Sequence, residues 1–286
     1  MKENFNLQAT FSAALTDKEF NQLSEFISGS SGIKMPPVKR IMLQSRLQKR
    51  LRHLKMHSFK EYIEYLFSQE GQKKELVHML DVVSTNKTDF FREPVHFEFL
   101  REHALPEYRQ KFQSNRKMKI WSAGCSSGEE PYTIAITMEE WKSENPGFDY
   151  SIVGTDISTD ILKQAVQAIY KEEKVDVVPQ ILKKKYLLKS KDRQHPTVRI
   201  VAPLRKKVAY YRLNFMDATY NLQDMFDVIF CRNVLIYFTR ETQEEVLRKL
   251  CSRLHPGGYL FIGHSESIMS MTLPLKQIRP TIFQRT

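Results

Sequence analysis

Apolar residues along this chain change their period once, near residue 117. Before that point they recur at helical spacing. Thr16-Asp-Lys-Glu19 has the form of a capping box, Phe20, Leu23, Phe26 and Ile27 follow it, and Gly29 to Pro37 break the pattern. Leu43, Leu47, Leu51 and Leu54 stand four, four and three apart, which predicts one buried stripe on a helix from about Val38 to His57. Two further helices are predicted over Phe59–Phe67 and about Lys73–Val83, so residues 1–84 read as a small all-helical domain. After Lys117 the apolar runs are short and end in small or polar residues: MKIWSAG, YSIVGTDIS, FDVIFCRNVLIYF and GGYLFIGHSES. Helical stretches such as Pro131–Lys142 and Glu241–Leu254 separate them. Strands alternating with helices predict an α/β fold with a mostly parallel, doubly wound sheet. Ligands of such sheets bind beyond the carboxyl ends of the strands. The C-terminal TIFQRT reads as a final edge strand. His195 to Asn214, HPTVRIVAPLRKKVAYYRLN, breaks the alternation: two β-rich runs around a basic turn predict a small antiparallel excursion at about 193–213, with one long partnerless hairpin as the competing reading.

Composition narrows the class. With 41% hydrophobic and 27% charged residues the chain is of ordinary globular type, and no run approaches the roughly 20 apolar residues that span a bilayer. The opening MKENFNLQATFSAALTDKEF is interrupted by acidic and polar residues, unlike a signal peptide, so a cytoplasmic protein is expected. Cys125, Cys231 and Cys251 form no CxxC or Cys/His pattern; reduced thiols are expected, and neither a disulfide framework nor a bound metal. The formal charge of +11 points to an anionic partner. Nine Lys or Arg and no acid lie between Lys34 and Lys60, and Lys39, Arg46, Lys49, Arg50 and His53 fall on one side of a helical wheel. A charged face is ordinarily just solvated; the lack of compensating acids favours a binding surface.

Candidate chemistry begins at Trp121–Ile136, WSAGCSSGEEPYTIAI, which reads as a strand end, a tight glycine loop and a helix start. Such loops usually cradle phosphate on unpaired N–H groups at the helix N-terminus. Glu129 and Glu130 would repel a pyrophosphate there. Either they merely complement the helix dipole, or the ligand is nucleoside-like and cationic. Asp156 ends the next strand, where an acid binds a ribose diol or else caps the helix that follows. The loop glycines, Gly124 and Gly128, are spaced GxxxG; the GxGxxG fingerprint and the phosphate-loop lysine are both absent, which counts against NAD and ATP. S-adenosylmethionine fits what remains: a ribose diol, a sulfonium, and an ammonium group for which Glu130 is an acceptor.

The runs TNKTDFFREP (Thr85–Pro94), WSAGCSSGEEPYTIAI, GTDIS, FDVIFCRNVLIYF and GGYLFIGHSES together resemble, in order and spacing, the CheR-type chemotaxis receptor glutamate methyltransferases. The resemblance covers nearly the whole chain. It implies a Rossmann-like S-adenosylmethionine-dependent methyltransferase fold with a small antiparallel β insertion, preceded by a small all-α domain. The implied divisions are a receptor-docking domain at 1–84, a linker at 85–117 that contributes cofactor contacts, and a methyltransferase domain at 118–286. The implied reaction uses S-adenosyl-L-methionine, releases S-adenosyl-L-homocysteine, and forms methyl esters on glutamates of the cytoplasmic helical bundle of methyl-accepting chemotaxis receptors. By motif, Asn86, Thr88 and Arg92 are implied cofactor contacts, with Arg92 also addressing a carboxylate. Glu130 and Asp156 keep the roles given above. Asn214 and Phe215 are implied beside the adenine, Arg232 and Asn233 at a strand end, and Tyr237 beside the acceptor, so that Arg92 and Tyr237 are the expected catalytic pair. Lys39, Arg46, Lys49 and Arg50 are the expected receptor-binding residues, and the turn at Arg205-Lys206-Lys207 is a candidate site for a receptor C-terminal tethering peptide.

A glutamate acceptor, with a reference pKa near ~4.3, is already ionised at neutral pH and needs no general base. His264 at the end of a strand therefore reads as a structural residue. Nucleic acid is the rival substrate, but aromatic residues do not interleave with the basic stripe and the motifs of DNA amino- and cytosine-methyltransferases are missing. A non-catalytic S-adenosylmethionine-binding adaptor is the other alternative; the presence of Arg92, Asn233 and Tyr237 argues against it.

Overall fold

The structure, a computed structural model, describes residues 13–112 and 116–286. Most of the opening segment read above against a leader lies outside them. The chain folds as two compact units, one of residues up to Thr85 with Tyr237–Thr239, the other of Asn86–Ile236 and Arg240–Thr286. Among the described residues no helix is long and apolar enough to cross a membrane.

The first unit is helical: Asp17–Ser31, Arg40–Leu54, Phe59–Phe67, Gln69–Lys74 and Leu76–Val83. The capping box forms, with Thr16 accepting from the Glu19 N–H and Glu19 accepting from the Thr16 N–H at 2.9 Å. Gly32, at φ 74°, closes that helix in the left-handed conformation that terminates helices. Leu43, Leu47 and Leu51 are fully buried, as the stripe requires, whereas Leu54, the last residue of the helix, is only half-buried. The helix expected over 73–83 is two helices instead, because Ser68 caps a short one through the Gly71 N–H and the chain re-enters a second at Leu76.

The basic helix also differs from expectation. Arg50 points inward and forms a two-pronged pair with Glu75, Nε to Oε1 and Nη2 to Oε2 both at 2.7 Å. Tyr62 donates to the same carboxylate at 3.0 Å. Arg46 donates to the Val83 and Ser84 carbonyls at 2.6 and 2.8 Å, capping the end of the last helix. The compensating acid that the local sequence lacked is supplied from 25 residues away. Arg46 and Arg50 are thus structural within this unit, whereas Lys49 is exposed. Leaving Glu75 buried without its cation is costly. Arg50→Ala should lower unfolding stability by about 2 kcal/mol, with Lys49→Ala leaving the urea midpoint in place; equal midpoints for the two variants would show that the Arg50 pair contributes nothing net.

The described residues of the second unit form ten strands: β1 Met118–Ala123, β2 Tyr150–Asp156, β3 Ile169–Lys171, β4 Leu187–Lys189, β5 Thr197–Ile200, β6 Val208–Arg212, β7 Phe226–Cys231, β8 Leu254–Ile262, β9 Leu275–Arg279 and β10 Ile282–Arg285. Seven form one sheet in the order β6-β2-β1-β7-β8-β10-β9. β10 runs antiparallel to both its neighbours, while β6, β2, β1, β7 and β8 pair in parallel. Every residue of β7 is buried, which suits a central parallel strand covered on both faces. Phe230 and Phe261 stack across β7 and β8 at 4.4 Å between ring centres, and Ile134, Ile136 and Met138 of the Glu129–Glu144 helix belong to the same core.

Two expectations are corrected here. The small antiparallel insertion is present but with other bounds than 193–213: β5 is the centre of an antiparallel sheet, β3-β5-β4, and β6 is the edge of the main sheet, in register with β2, so the competing reading of one hairpin falls. The basic turn between them is correspondingly altered, since Arg205 donates to the Ile200 carbonyl at 3.1 Å and Lys207 pairs with Asp149. TIFQRT is not the edge either; β10 inserts between β8 and β9, and β9, largely exposed, takes the edge.

Candidate functional site

The glycine loop follows β1 and is shaped by three residues with positive φ: Gly124 at 82°, Ser126 at 49° and Gly128 at 95°. Gly124 has a second requirement, because a Cβ there would lie 2.5 Å from Val234 Cγ2. The Gly124 and Cys125 N–H groups both donate to the Thr155 carbonyl at 2.8 Å, which ties the loop to the end of β2. Asp156 completes the tie: its carboxylate accepts from the Ser126 N–H at 2.9 Å and the Ser158 N–H at 3.0 Å. The N-cap of the following helix is Ser158, whose hydroxyl accepts from the Ile161 N–H, so Asp156 is not the helix cap.

The segment from Asn86 to Glu93 lies on this loop. The Asn86 carbonyl accepts from Ser126 Oγ at 2.9 Å, the Thr88 carbonyl from Lys174 Nζ at 3.0 Å, and the Phe91 N–H donates to Thr133 Oγ1 at 3.1 Å. Phe91 and Glu93, on either side of Arg92, have φ of 52° and 55°. Side chains rarely adopt that conformation, and it persists where surrounding contacts determine it. The half-buried Arg92 donates from its guanidinium to the Lys87 carbonyl at 3.2 Å.

The end of the segment, Arg92 and Glu93, meets Arg232 at the end of β7, whose side chain is 2% exposed. Its guanidinium lies 3.3 Å from Glu93 and 3.5 Å from Glu130, and it donates to the Arg92 carbonyl. Ser122 donates to the other Glu130 oxygen at 2.7 Å. Burial raises the Glu130 pKa above the ordinary carboxylate value, and Arg232 and Ser122 only partly oppose it. Burial also pulls Glu93 upward, but Arg232, the His264 N–H and Asn233 outweigh it and hold Glu93 low. Glu129 is buried as well, its pKa raised by burial despite a 2.6 Å bond from Ser127 Oγ.

Asn233 follows at φ 59° and donates from Nδ2 to Glu93 at 3.3 Å. The turn it begins is held by Glu266, a buried carboxylate that accepts from the N–H groups of Gly263, Asn233, Val234 and Leu235. Asn214 and Phe215 come after β6, where Arg212 is level with Asp156 of β2. Asn214 accepts from the Met216 N–H at 3.1 Å, and Phe215 is buried with its ring 6.1 Å from that of Tyr220.

At the carboxyl ends of β1, β2 and β7, Asn86 and Asp156 thus meet at Ser126, and Arg92, Glu130 and Asn233 meet around Arg232 and Glu93, while the Thr88 carbonyl is held by Lys174. Tyr237 belongs instead to the helical unit, where its carbonyl accepts from the Lys34 N–H at 2.9 Å and Lys39 Nζ lies 5.7 Å from its ring centre. Glu93 and Glu266 were not singled out by the sequence reading. Both stand inside motifs of the family resemblance, FFREP and GHSES; an acid just beyond a strand end was the available signal for Glu266, and for Glu93 there was only its place beside Arg92.

The donor set tests the ligand class. Three carboxylates, Glu129, Glu130 and Asp156, surround a loop whose Ser126 amide is already bound to one of them, an arrangement that repels pyrophosphate and fits a cationic nucleoside. A parallel sheet with one antiparallel strand inserted next to its edge, this loop after β1 and an acid closing β2 define an S-adenosylmethionine-dependent methyltransferase. Residues 86–283 match the family described as CheR methyltransferase, SAM binding domain, and residues 18–84 match CheR methyltransferase, all-alpha domain. The chain is 37% identical to a chemotaxis protein methyltransferase of Borreliella burgdorferi over 99% of this chain and 98% of the relative. It is 36% identical to chemotaxis protein methyltransferase 2 of Pseudomonas aeruginosa, over 94% and 93%, and 36% identical to that of Escherichia coli, over 91% and 88%. The chain belongs to the CheR methyltransferase family, and its cofactor is S-adenosyl-L-methionine.

Proposed function

We propose that this protein transfers methyl groups from S-adenosyl-L-methionine to glutamate side-chain carboxylates of membrane chemoreceptors, in the cytoplasm, forming methyl esters for chemotactic adaptation. The observation that carries the reading is the carboxylate-lined glycine loop organised by Arg232 in a chain of this family. When bound, the cofactor supplies an electrophilic methyl group on a sulfonium. A glutamate carboxylate attacks without losing a proton first, so alignment is the protein's main contribution.

In this reading Asp156 accepts from the ribose diol, Glu130 from the methionine ammonium, and Asn214 and Phe215 flank the adenine. Asn86, Thr88, Arg232 and Asn233 complete the cofactor site, and Arg92 orients the acceptor, a role the family resemblance also implies for Tyr237. The receptor-docking face narrows to Lys39 and Lys49, with the exposed Val38 and Ile41, because Arg46 and Arg50 bond Glu75, Val83 and Ser84 at the other end of the unit's sequence, whereas Lys39 makes a solvent-exposed bond to the nearby Lys34 carbonyl. A receptor C-terminal tethering peptide would add as a strand to an outer strand of the small sheet, β3 or β4.

Labelled S-adenosyl-L-methionine incubated with receptor-containing membranes should give alkali-labile label on the receptor, released as methanol. Label that survives alkali, or that appears on nucleic acid, would replace the glutamate reading. The double charge reversal Lys39→Glu/Lys49→Glu should raise the apparent KM for receptor by about tenfold, the range in which surface charges tune association, while affinity for S-adenosyl-L-homocysteine stays constant. Unchanged receptor kinetics would remove these lysines from the docking face.

A further inference from the structure

Glu93, His96 and His264 bring three metal-ligating atoms within 4.8 Å of one another. His96 is 0% exposed, and its proton can be placed from its neighbours. Nε2 lies 2.8 Å from Thr281 Oγ1, and that hydroxyl donates its own hydrogen to the Pro280 carbonyl at 2.6 Å. Thr281 Oγ1 therefore accepts from His96 Nε2–H, which leaves a lone pair on Nδ1 of the neutral ring. Among the described residues Nδ1 has no hydrogen-bond partner; it faces Glu93 Oε2 at 3.5 Å, an oxygen that likewise has none. Two buried acceptors facing each other are unfavourable unless something positive lies between them.

The Arg232 guanidinium meets that oxygen from one side at 3.3 Å, but Nδ1 of His96 gains nothing from it. The His264 ring, 5.4 Å from the His96 ring between centres, is exposed and gives an ion a way in. Thr281 behind His96 is the kind of outer partner that fixes the tautomer of a metal-ligating histidine, and Glu93 is itself held by Asn233 and the His264 N–H. Two imidazoles and one carboxylate suit zinc and its neighbours rather than magnesium or calcium.

We propose that Glu93, His96 and His264 form a binding site for a divalent transition-metal ion, and that filling it weakens cofactor binding by drawing Glu93 off Arg232. Arg232 joins Glu93 to Glu130 and holds the Arg92 carbonyl, so an ion on Glu93 disturbs the same network that shapes the cofactor loop. The charge of Arg232 opposes the ion, which makes this an exchangeable, inhibitory site. The coupling rests on the assignment of Glu130 and Arg232 to the cofactor site; the metal site itself does not.

The test uses the full chain, zinc alone as probe, and His264→Gln, a substitution at an exposed position. Calorimetry should show one zinc per chain, weakened by at least about tenfold in His264→Gln, since even outer partners of metal ligands contribute 10–100-fold. Cobalt should give a visible absorption band that His264→Gln abolishes. Zinc at a concentration that fills the original protein but not the variant should weaken S-adenosyl-L-homocysteine binding by about tenfold in the original, within the usual range of coupling between sites, and leave the variant unchanged. Zinc affinity that is absent, or identical in His264→Gln, would overturn the site and assign the Glu93–His96 pair to a shared proton. Zinc bound with no change in S-adenosyl-L-homocysteine affinity would overturn the inhibitory coupling. Neither result bears on ester formation, which is read separately by alkali-labile label.

Discussion

Arg232→Met should destabilise the sheet unit by about 3–5 kcal/mol, the usual cost of leaving buried charge without its partner. The guanidinium is 2% exposed and lies between Glu93 and Glu130, which are themselves only 11% and 14% exposed. Methionine fills much of the volume but leaves two carboxylates facing each other in a poorly solvated site. Their folded-state pKa values must then rise: Glu130 from a value burial has already raised, and Glu93 because it loses the charge that holds it low. A carboxylate with a raised folded pKa binds more protons folded than unfolded, so it destabilises increasingly as pH rises from the ordinary carboxylate range through the raised value. The stability gap to the original protein should therefore be small at about pH 5 and wide at about pH 8. Urea unfolding followed by tryptophan fluorescence reads this unit alone, because Trp121 and Trp141, the two tryptophans of the chain, both belong to it. A gap of equal size at both pH values would mean that packing, not buried charge, sets the loss.

Arg92→Ala is expected to separate chemistry from stability. The network holds Arg92 by its carbonyl, which alanine keeps, and positive φ is found at Phe91 and Glu93 rather than at position 92. What is removed is a guanidinium bonded to the Lys87 carbonyl. The thermal midpoint should stay close to that of the original protein. Methyl transfer should fall by about 100-fold, the scale of loss when a positioning group misplaces a reactant by an ångström, equivalent to about 2.7 kcal/mol in the barrier. S-adenosyl-L-homocysteine affinity should change by less. A variant that turns over within a few-fold of the original would take Arg92 out of the acceptor site, and one that melts early would make it structural.

The elements that were legible in the sequence are those whose bonds close within a few residues. The capping box at Thr16–Glu19, the stripe of Leu43, Leu47 and Leu51, the turn-forming glycines at 124 and 128 and the apolar strand runs each depend on spacing alone. Those local patterns, with the motif order, were enough to name the fold class and the cofactor.

Partnership between distant segments was not legible. TVRI and VAYYR have equal claim to be strands, and nothing in either says that one joins β3 and β4 while the other extends the main sheet beside β2. The same holds for charge. Arg50 looked available because its acid lies 25 residues away, and the bonds from Arg232 and Asn233 to the Arg92–Glu93 turn each span 140 residues. A side chain's chemistry and its helical face are properties of the local chain, so the sequence by itself determined most of the elements, the glycine loop and the list of acids around it. Which charge neutralises which, and hence whether an arginine docks a partner or closes a core, depends on contacts made when the chain packs, and the tertiary structure alone decided that.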